Sequence, residues 1–248
     1  MQQRPLEGHV AVVSGSARNI GRAIAHALAD AGAAIVVNAR SSAADADAVA
    51  HAIRDRGGRA IAKLADVGDP EAATTLIDAA IKEFGRLDIL VNNAAVRREI
   101  DFDKLEYGEW RTIIATILDG AYLCSRAALP HLIAAGGGSI VNIGGLSSHT
   151  GAARRAHVIA AKAGLVGLTR ALAHDLAPHR VTVNCVAPGL IDTERRGPEP
   201  AHHAKHATLA GRRGTPEEIA ALVRFLCGPD ARYITGQTLH ANGGAFMS

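Results

Sequence analysis

Ser14-Gly15-Ser16-Ala17-Arg18-Asn19-Ile20-Gly21 ends the apolar run His9 to Ser14 and opens directly into a helical pattern from Arg22 to Ala31. Glycine lets the chain turn tightly there and approach a pyrophosphate, whose charge is favoured at the positive end of the following helix. Two glycines alone would also suit an ordinary strand-to-helix turn. Companion segments decide the reading: Asp66-Val67 follows the third apolar run and Asn92-Asn93-Ala94-Ala95 the fourth. Loops at the carboxyl edge of a parallel sheet meet a nucleotide at such places.

Working outward, short apolar runs alternate with longer helical patterns: His9 to Ser14, Ala34 to Asn38, Arg59 to Leu64, Ile89 to Val91, Ser139 to Ile143, Val181 to Val186 and Thr238 to Leu239. Alternation of this kind predicts an α/β fold, a single Rossmann-type three-layer α/β/α domain over residues 1–248 with a doubly wound, seven-stranded parallel sheet. Helices are expected to start at Ile20, Ala43, Pro70, Tyr107, Ala156 and Pro216. Asp69 before Pro70 and Thr215 before Pro216 each combine an N-cap, a proline at the first helical position and an acidic first turn. The stretch from Asp192 to Arg213, rich in Pro, Gly, Arg and His, reads as a mobile loop that covers a ligand.

Only 3% of residues are aromatic against 48% hydrophobic, so the core is built from Ala, Val, Ile and Leu, which suits close helix-on-sheet packing. The net charge of +3 is spread without a long basic run, and nucleic acid is not an expected partner. Arg97-Arg98, Arg154-Arg155 and Arg212-Arg213 read as solvated surface pairs. Cys124, Cys185 and Cys227 lie far apart inside apolar stretches, as core residues in a reducing compartment would. No secretory leader and no run of about 18 uninterrupted apolar residues occurs, so no membrane partner is expected and a cytoplasmic location is.

The order and spacing of these motifs, together with Pro188-Gly189, Gly214-Thr215-Pro216-Glu217-Glu218 and Ile234-Thr235-Gly236-Gln237, resembles the short-chain dehydrogenase/reductase family over nearly the whole length. The resemblance implies a nicotinamide dinucleotide held by Gly15, Ser16, Arg18, Asn19, Ile20, Gly21, Ala39, Arg40, Ser41, Asp66, Val67, Asn93, Ala94, Ala95, Lys162, Pro188, Gly189, Ile191 and Thr193. Ala39 stands where NAD-dependent members usually carry Asp, while Arg18, Arg40 and Ser41 offer charge and hydrogen bonds to a 2′-phosphate. NADP(H) is therefore favoured over NAD(H).

The family's reductases are expected to carry a Tyr and a Lys four residues apart on one helix, a Ser thirteen residues before the Tyr, and an Asn on the preceding long helix. Positions i and i+4 share a helix face, so the ammonium lowers the phenol pKa while the other groups complete a proton path. Here Lys162 aligns with the lysine, but Val158, Gly145 and Ile117 occupy the Tyr, Ser and Asn positions. The three tyrosines, Tyr107, Tyr122 and Tyr233, all lie outside the segment that would supply the phenol, so no shift of register restores it. His157 is about 140° around the helix from Lys162 and should not share its face. His149, Ser147 and Ser148 follow the fifth run, where a substrate could reach them, and His149 is a candidate catalyst. His202, His203 and His206 lie on an irregular segment without a fixing element, so no metal site is expected.

The expected function is an NADP-dependent oxidoreductase acting on a small molecule, its acid drawn from water, the substrate or the His149 loop. Lys162 would also bond the nicotinamide ribose. Two alternatives are a non-redox enzyme (isomerase, lyase or hydrolase) in the same pocket and a catalytically silent dinucleotide-binding partner. Ile234 to Gly244 resembles the family's assembly segment and implies a homo-oligomer, dimer or tetramer.

Overall fold

The computed structural model describes residues 4–194 and 208–247. Seven strands, β1 (Val10–Val13), β2 (Ala34–Ala39), β3 (Ala60–Leu64), β4 (Ile89–Asn92), β5 (Gly138–Ile143), β6 (Val181–Pro188) and β7 (Thr238–Ala241), form one sheet in the order β3-β2-β1-β4-β5-β6-β7. Every pairing is parallel. The expected doubly wound single domain is what the chain forms.

Strand residues alternate between two cores as the two-residue period requires. Ala11, Val13, Ile35, Val37, Ile89 and Val91 face one layer, whereas Val10, Val12, Ala34, Val36 and Leu90 face the other. At the strands' amino ends, buried Asp88 accepts from the Val10 amide at 2.9 Å and from the Arg86 guanidinium at 2.6 and 2.9 Å, which fastens β1 beside β4.

The layers are completed by α1 (Asn19–Asp30), α2 (Ala43–Asp55), α3 (Pro70–Phe84), α4 (Tyr107–Ile114), α5 (Gly120–Ala134), α6 (Ser147–Thr150), α7 (Ala156–Leu176) and α8 (Pro216–Cys227). Both local helix signals act as read. Asp69 accepts from the Ala72 amide at 2.8 Å, and Thr215 exchanges side-chain and backbone bonds with Glu218 in a capping box. The Arg212 guanidinium then holds the Glu218 carboxyl down at about 2.

Two departures from the expected helices bear on the site. α1 begins at Asn19, one residue early, and the helix from Tyr107 is broken by a π-helical turn, Ala115–Asp119, before α5. A third, smaller apolar cluster fills the space behind that turn, with Ile113, Ile117 and Ala121 against Val158, Ala161 and Leu165 of α7. Tyr107–Ala134 and Ala156–His179 are long and apolar enough to cross a membrane by length and composition; here their apolar residues pack into the sheet and against each other.

Of the expected 192–213 loop, 192–194 and 208–213 are described. His202, His203 and His206 lie outside the described residues. Ile191 bridges to Gly214, and Glu194 comes down on α1, its carbonyl accepting from Asn19 at 3.2 Å and its carboxylate from Arg22 at 3.3 Å.

Candidate active site

The strand order reverses between β1 and β4, and the crevice outside their carboxyl ends is the ligand position of open α/β sheets. The turn from β1 to α1 is packed so closely there that only glycine fits. Gly15 has φ +61°, and a Cβ on it would lie 2.9 Å from Ala94 Cα; a Cβ on Gly21 would lie 2.4 Å from the Gly15 carbonyl oxygen. Asn93 donates to the Ser14 and Gly15 carbonyls at 2.9 Å, and the Ser14 hydroxyl accepts from the amides of Asn93 and Ala94. Asn38 accepts from the Gly15 amide at 3.0 Å and donates to Lys63 and Ala65, so the ends of β1, β2 and β3 are tied through one amide side chain.

These bonds hold the glycine turn open towards the start of α1. Arg18 makes no side-chain cap bond and the first turn of α1 carries no acid, so the amides and the positive helix end are left for an anion such as a pyrophosphate. Ala39 is buried at the end of β2, with Arg40 and Ser41 exposed beyond it. Asp66 caps its own turn, accepting from the Gly68 amide at 3.0 Å, and Val67 is buried beside it.

From the start of α1, a cleft of roughly 820 Å³, counting its open mouth, runs over β4, β5 and β6 to α7. Ile20, Asn93, Ala95, Lys162, Pro188, Gly189, Ile191 and Thr193 line it, so these residues of the expected dinucleotide set meet in one wall. Lys162 lies at its floor, 7% exposed, and its ammonium donates to the Ile143 carbonyl. Burial pulls its pKa down to about 7, helped by the charges of Arg97 and Arg155 and partly opposed by Cys185.

Val158, one turn before Lys162 on the same face of α7, lines the cleft as well and packs with Ile117 in the third core cluster. Gly145 lines it from the loop after β5, and a Cβ there would meet nothing within 4 Å. A buried polar chain stands behind the floor. Asn92 donates to Ser125 at 3.2 Å and Asn142 at 2.9 Å, and Asn142 donates to Thr169 of α7 at 2.9 Å. Each member being tied to the next fixes α7 against β4 and β5.

Arg97 and Arg98 are both exposed, as expected of a surface pair, with Arg98 bonded to Glu109; Arg154 is exposed and bonded to Asp101, and half-buried Arg155 lines the cleft together with Arg97. One sequence-based expectation is corrected here. His149 is not among the lining residues; its ring packs edge-on to His240 at 4.5 Å and beside Phe246 at 5.5 Å, with Nε2 buried and unpartnered. Burial, His240 and Arg170 all lower its pKa. His157 stands off the lysine's face as expected and is wholly buried. Sequence reasoning missed Arg97 and Arg155 as cleft residues, the Ile143 carbonyl as the lysine's partner, and Asn38. Among the described residues no group of three or more His, Cys, Asp or Glu is placed to hold a metal.

Residues 15–245 match the family model described as enoyl-(acyl carrier protein) reductase. The chain belongs to the short-chain dehydrogenase/reductase family. Within it, the chain is 41% identical to a 3-oxoacyl-[acyl-carrier-protein] reductase of Vibrio cholerae, over 98% of this chain and 99% of that one. An uncharacterised oxidoreductase of Methylorubrum extorquens is 42% identical, over 96% and 98%. Among solved structures, a short chain dehydrogenase from Burkholderia cenocepacia in complex with NADP superposes with a TM-score of 0.92 at 38% identity, covering 97% of this chain and 99% of that one. The chain is thus an NAD(P)-dependent oxidoreductase of the short-chain dehydrogenase/reductase type, and the sheet order and glycine turn described above are the parts of it that the dinucleotide needs.

Proposed function

We propose that this oxidoreductase reduces a small-molecule acceptor with NADPH and that Lys162 delivers the proton that a tyrosine delivers elsewhere in the family. Val158, Gly145 and Ile117 take the family's Tyr, Ser and Asn positions, and none of the three side chains can donate or accept a proton. The observation that carries the proposal is the cleft floor itself. Among the described lining residues, Lys162 is the one whose proton leaves near neutral pH, with a pKa of about 7 set by its burial and by the two arginines. An acid so poised is both populated and willing to release its proton.

When bound, the nicotinamide supplies the hydride. The Lys162 ammonium gives its proton to the acceptor's heteroatom, and water returns one to the amine. Gly15, Gly21 and the start of α1 hold the pyrophosphate, while Arg18, Arg40 and Ser41 accept the 2′-phosphate where no acid at Ala39 repels it. The NADP complex of the Burkholderia cenocepacia relative supports this choice of dinucleotide. The protein assembles as a homodimer or homotetramer.

Calorimetric titration checks the cofactor half. NADPH binds with about −8 kcal/mol, corresponding to micromolar affinity, NADH binds more weakly, and Arg40→Ala narrows the gap. Equal affinities in the native protein would refute the preference. Lys162→Arg checks the proton half: a guanidinium keeps the charge and the hydrogen bond but never releases its proton. NADPH binding should then stay within a few-fold while turnover falls by roughly 10²–10⁴. In the native protein the rate of reduction declines as pH rises through about 7, because the acid is then lost. An arginine variant that turns over normally would remove Lys162 from the role.

A further inference from the structure

We infer that Lys162 has a second use in its unprotonated form: its amine condenses with a small apolar aldehyde in the cleft and holds it covalently as an iminium. The inference goes beyond the proposed reduction, which uses the same nitrogen in its protonated form, and it needs no dinucleotide.

The surroundings of the nitrogen suit an amine better than an ammonium. An ammonium carries three N–H donors and no acceptor, yet among the described residues Lys162 has one hydrogen-bond partner, the Ile143 carbonyl. With the residue 7% exposed, little solvent is left to satisfy the other two donors, and an unmet donor on a charged group costs more than one on a neutral group. The neutral amine leaves one N–H unmet instead of two and has a lone pair to offer. Nothing described beside it takes up that lone pair. Val158, one turn earlier on the same face, and Gly145 have no side-chain proton to donate, and the Cys185 thiol gives its weak donor to the Val186 carbonyl at 3.9 Å.

The charged and titratable groups that act on Lys162 agree with this inventory. Burial, then the charge of Arg97, lowers its pKa, Cys185 opposes them and Arg155 adds to them, for a value of about 7. About half of the molecules therefore hold a nucleophilic amine at neutral pH, where an ordinary lysine is neutral in fewer than about one molecule per thousand.

The cleft fixes the class of partner. Its roughly 820 Å³, counting the open mouth, admits a small molecule, and Ile143, Leu146, Val158 and Ile191 give it apolar walls. An aliphatic or aromatic aldehyde is desolvated against them while its carbonyl carbon meets the nitrogen. A ketone brings a second substituent to the atom that must reach the cleft floor, so aldehydes are preferred. The lone pair of Lys162 forms the C–N bond. One amine proton and one proton from solvent then leave with the carbonyl oxygen as water, and the iminium keeps its remaining N–H for the Ile143 carbonyl.

Benzaldehyde with sodium cyanoborohydride, which reduces the iminium to a stable secondary amine, tests this on the full-length protein without dinucleotide. Lysines are few, Lys63, Lys82, Lys104, Lys162 and Lys205, so peptide mapping by mass spectrometry assigns each adduct. At pH 7.5 Lys162 should be labelled faster than any other lysine by roughly 10- to 100-fold, a smaller ratio than that of the neutral fractions because a less basic nitrogen is a weaker nucleophile. Its rate should rise with pH through about 7 and then level off, since the amine is by then fully formed. Lys162→Arg should remove this adduct and leave the labelling of exposed Lys82 and Lys104 unchanged. Labelling spread over the surface lysines with Lys162 untouched would overturn the inference, as would a Lys162 rate that keeps climbing to pH 10. Because no NADPH is present, a selective adduct on a protein that reduces no acceptor would sink the reductase reading alone, whereas an active reductase with an unlabelled Lys162 would sink this inference alone.

Discussion

Val158→Tyr combined with Gly145→Ser raises turnover of an uncharged ketone by roughly 10²–10⁴, the usual worth of a positioned general acid. Val158 and Lys162 already share one face of α7 and both line the cleft, so a phenol at 158 stands on the lysine's side of the helix. A Cβ at 145 would meet nothing within 4 Å, so a serine has room to enter. With the phenol installed, Lys162 changes task, from donating the proton to lowering the pKa of the group that does. Rates of NADPH oxidation on a neutral ketone, with NADPH affinity measured alongside, decide the matter. Unchanged rates at unchanged affinity would mean that the two positions do not face the acceptor.

A second large effect is thermodynamic. Lys162→Met should raise stability at pH 6 by about 2–4 kcal/mol, because an ammonium buried in this way keeps its proton only to about 7 instead of 10.5. The sign follows from proton counting. Above 10.5 the lysine is neutral whether the chain is folded or not, and its burial carries no electrostatic cost. Between 10.5 and 7 the unfolded chain holds the proton and the folded one does not, so the native protein loses up to about 1.4 kcal/mol for each pH unit descended. Below 7 the cost is complete. Loss of the bond to the Ile143 carbonyl offsets about 1–3 kcal/mol of the gain. Melting should therefore rise by about 4–16 °C at pH 6, with the advantage gone or reversed by pH 10. A variant that melts below the native protein by the same margin at every pH would show that the ammonium is at ease where it lies.

The fold was legible because its signals are local. Strands buried on both faces read as unbroken apolar runs, and Asp69, Thr215 and the prolines after them mark their helices in adjacent residues. β6 and β7 run on to Pro188 and Ala241, past the apolar runs that announced them, since pairing with a neighbour extends a strand through residues of any polarity. Ile117, Gly145 and Val158 were assigned to the family's polar positions from spacing alone. What the spacing does not contain is direction. That Arg98 pairs with Glu109, eleven residues on, and that His149 packs against His240 and Phe246 at the far end of the chain are contacts no local pattern announces. The pKa of Lys162 is legible only once its burial and its neighbours are known.

The π turn Ala115–Asp119 has a consequence for the history that such a site can undergo. A wide turn forfeits helix hydrogen bonding and is commonly kept where a side chain at its centre does chemistry, yet its central residue here is the aliphatic Ile117. Its neighbours explain how it survives: a Cβ on Gly68 would lie 3.2 Å from the Ala115 carbonyl, and one on Gly120 would lie 2.8 Å from the Val67 side chain. The shape is thus imposed by packing from the β3–α3 loop and does not depend on which residue occupies 117. An aliphatic residue at that position leaves the backbone shape standing, and an asparagine placed there would meet the same turn. Active sites held in shape from outside can exchange one chemistry for another and return, without the intervening proteins ever having to refold differently.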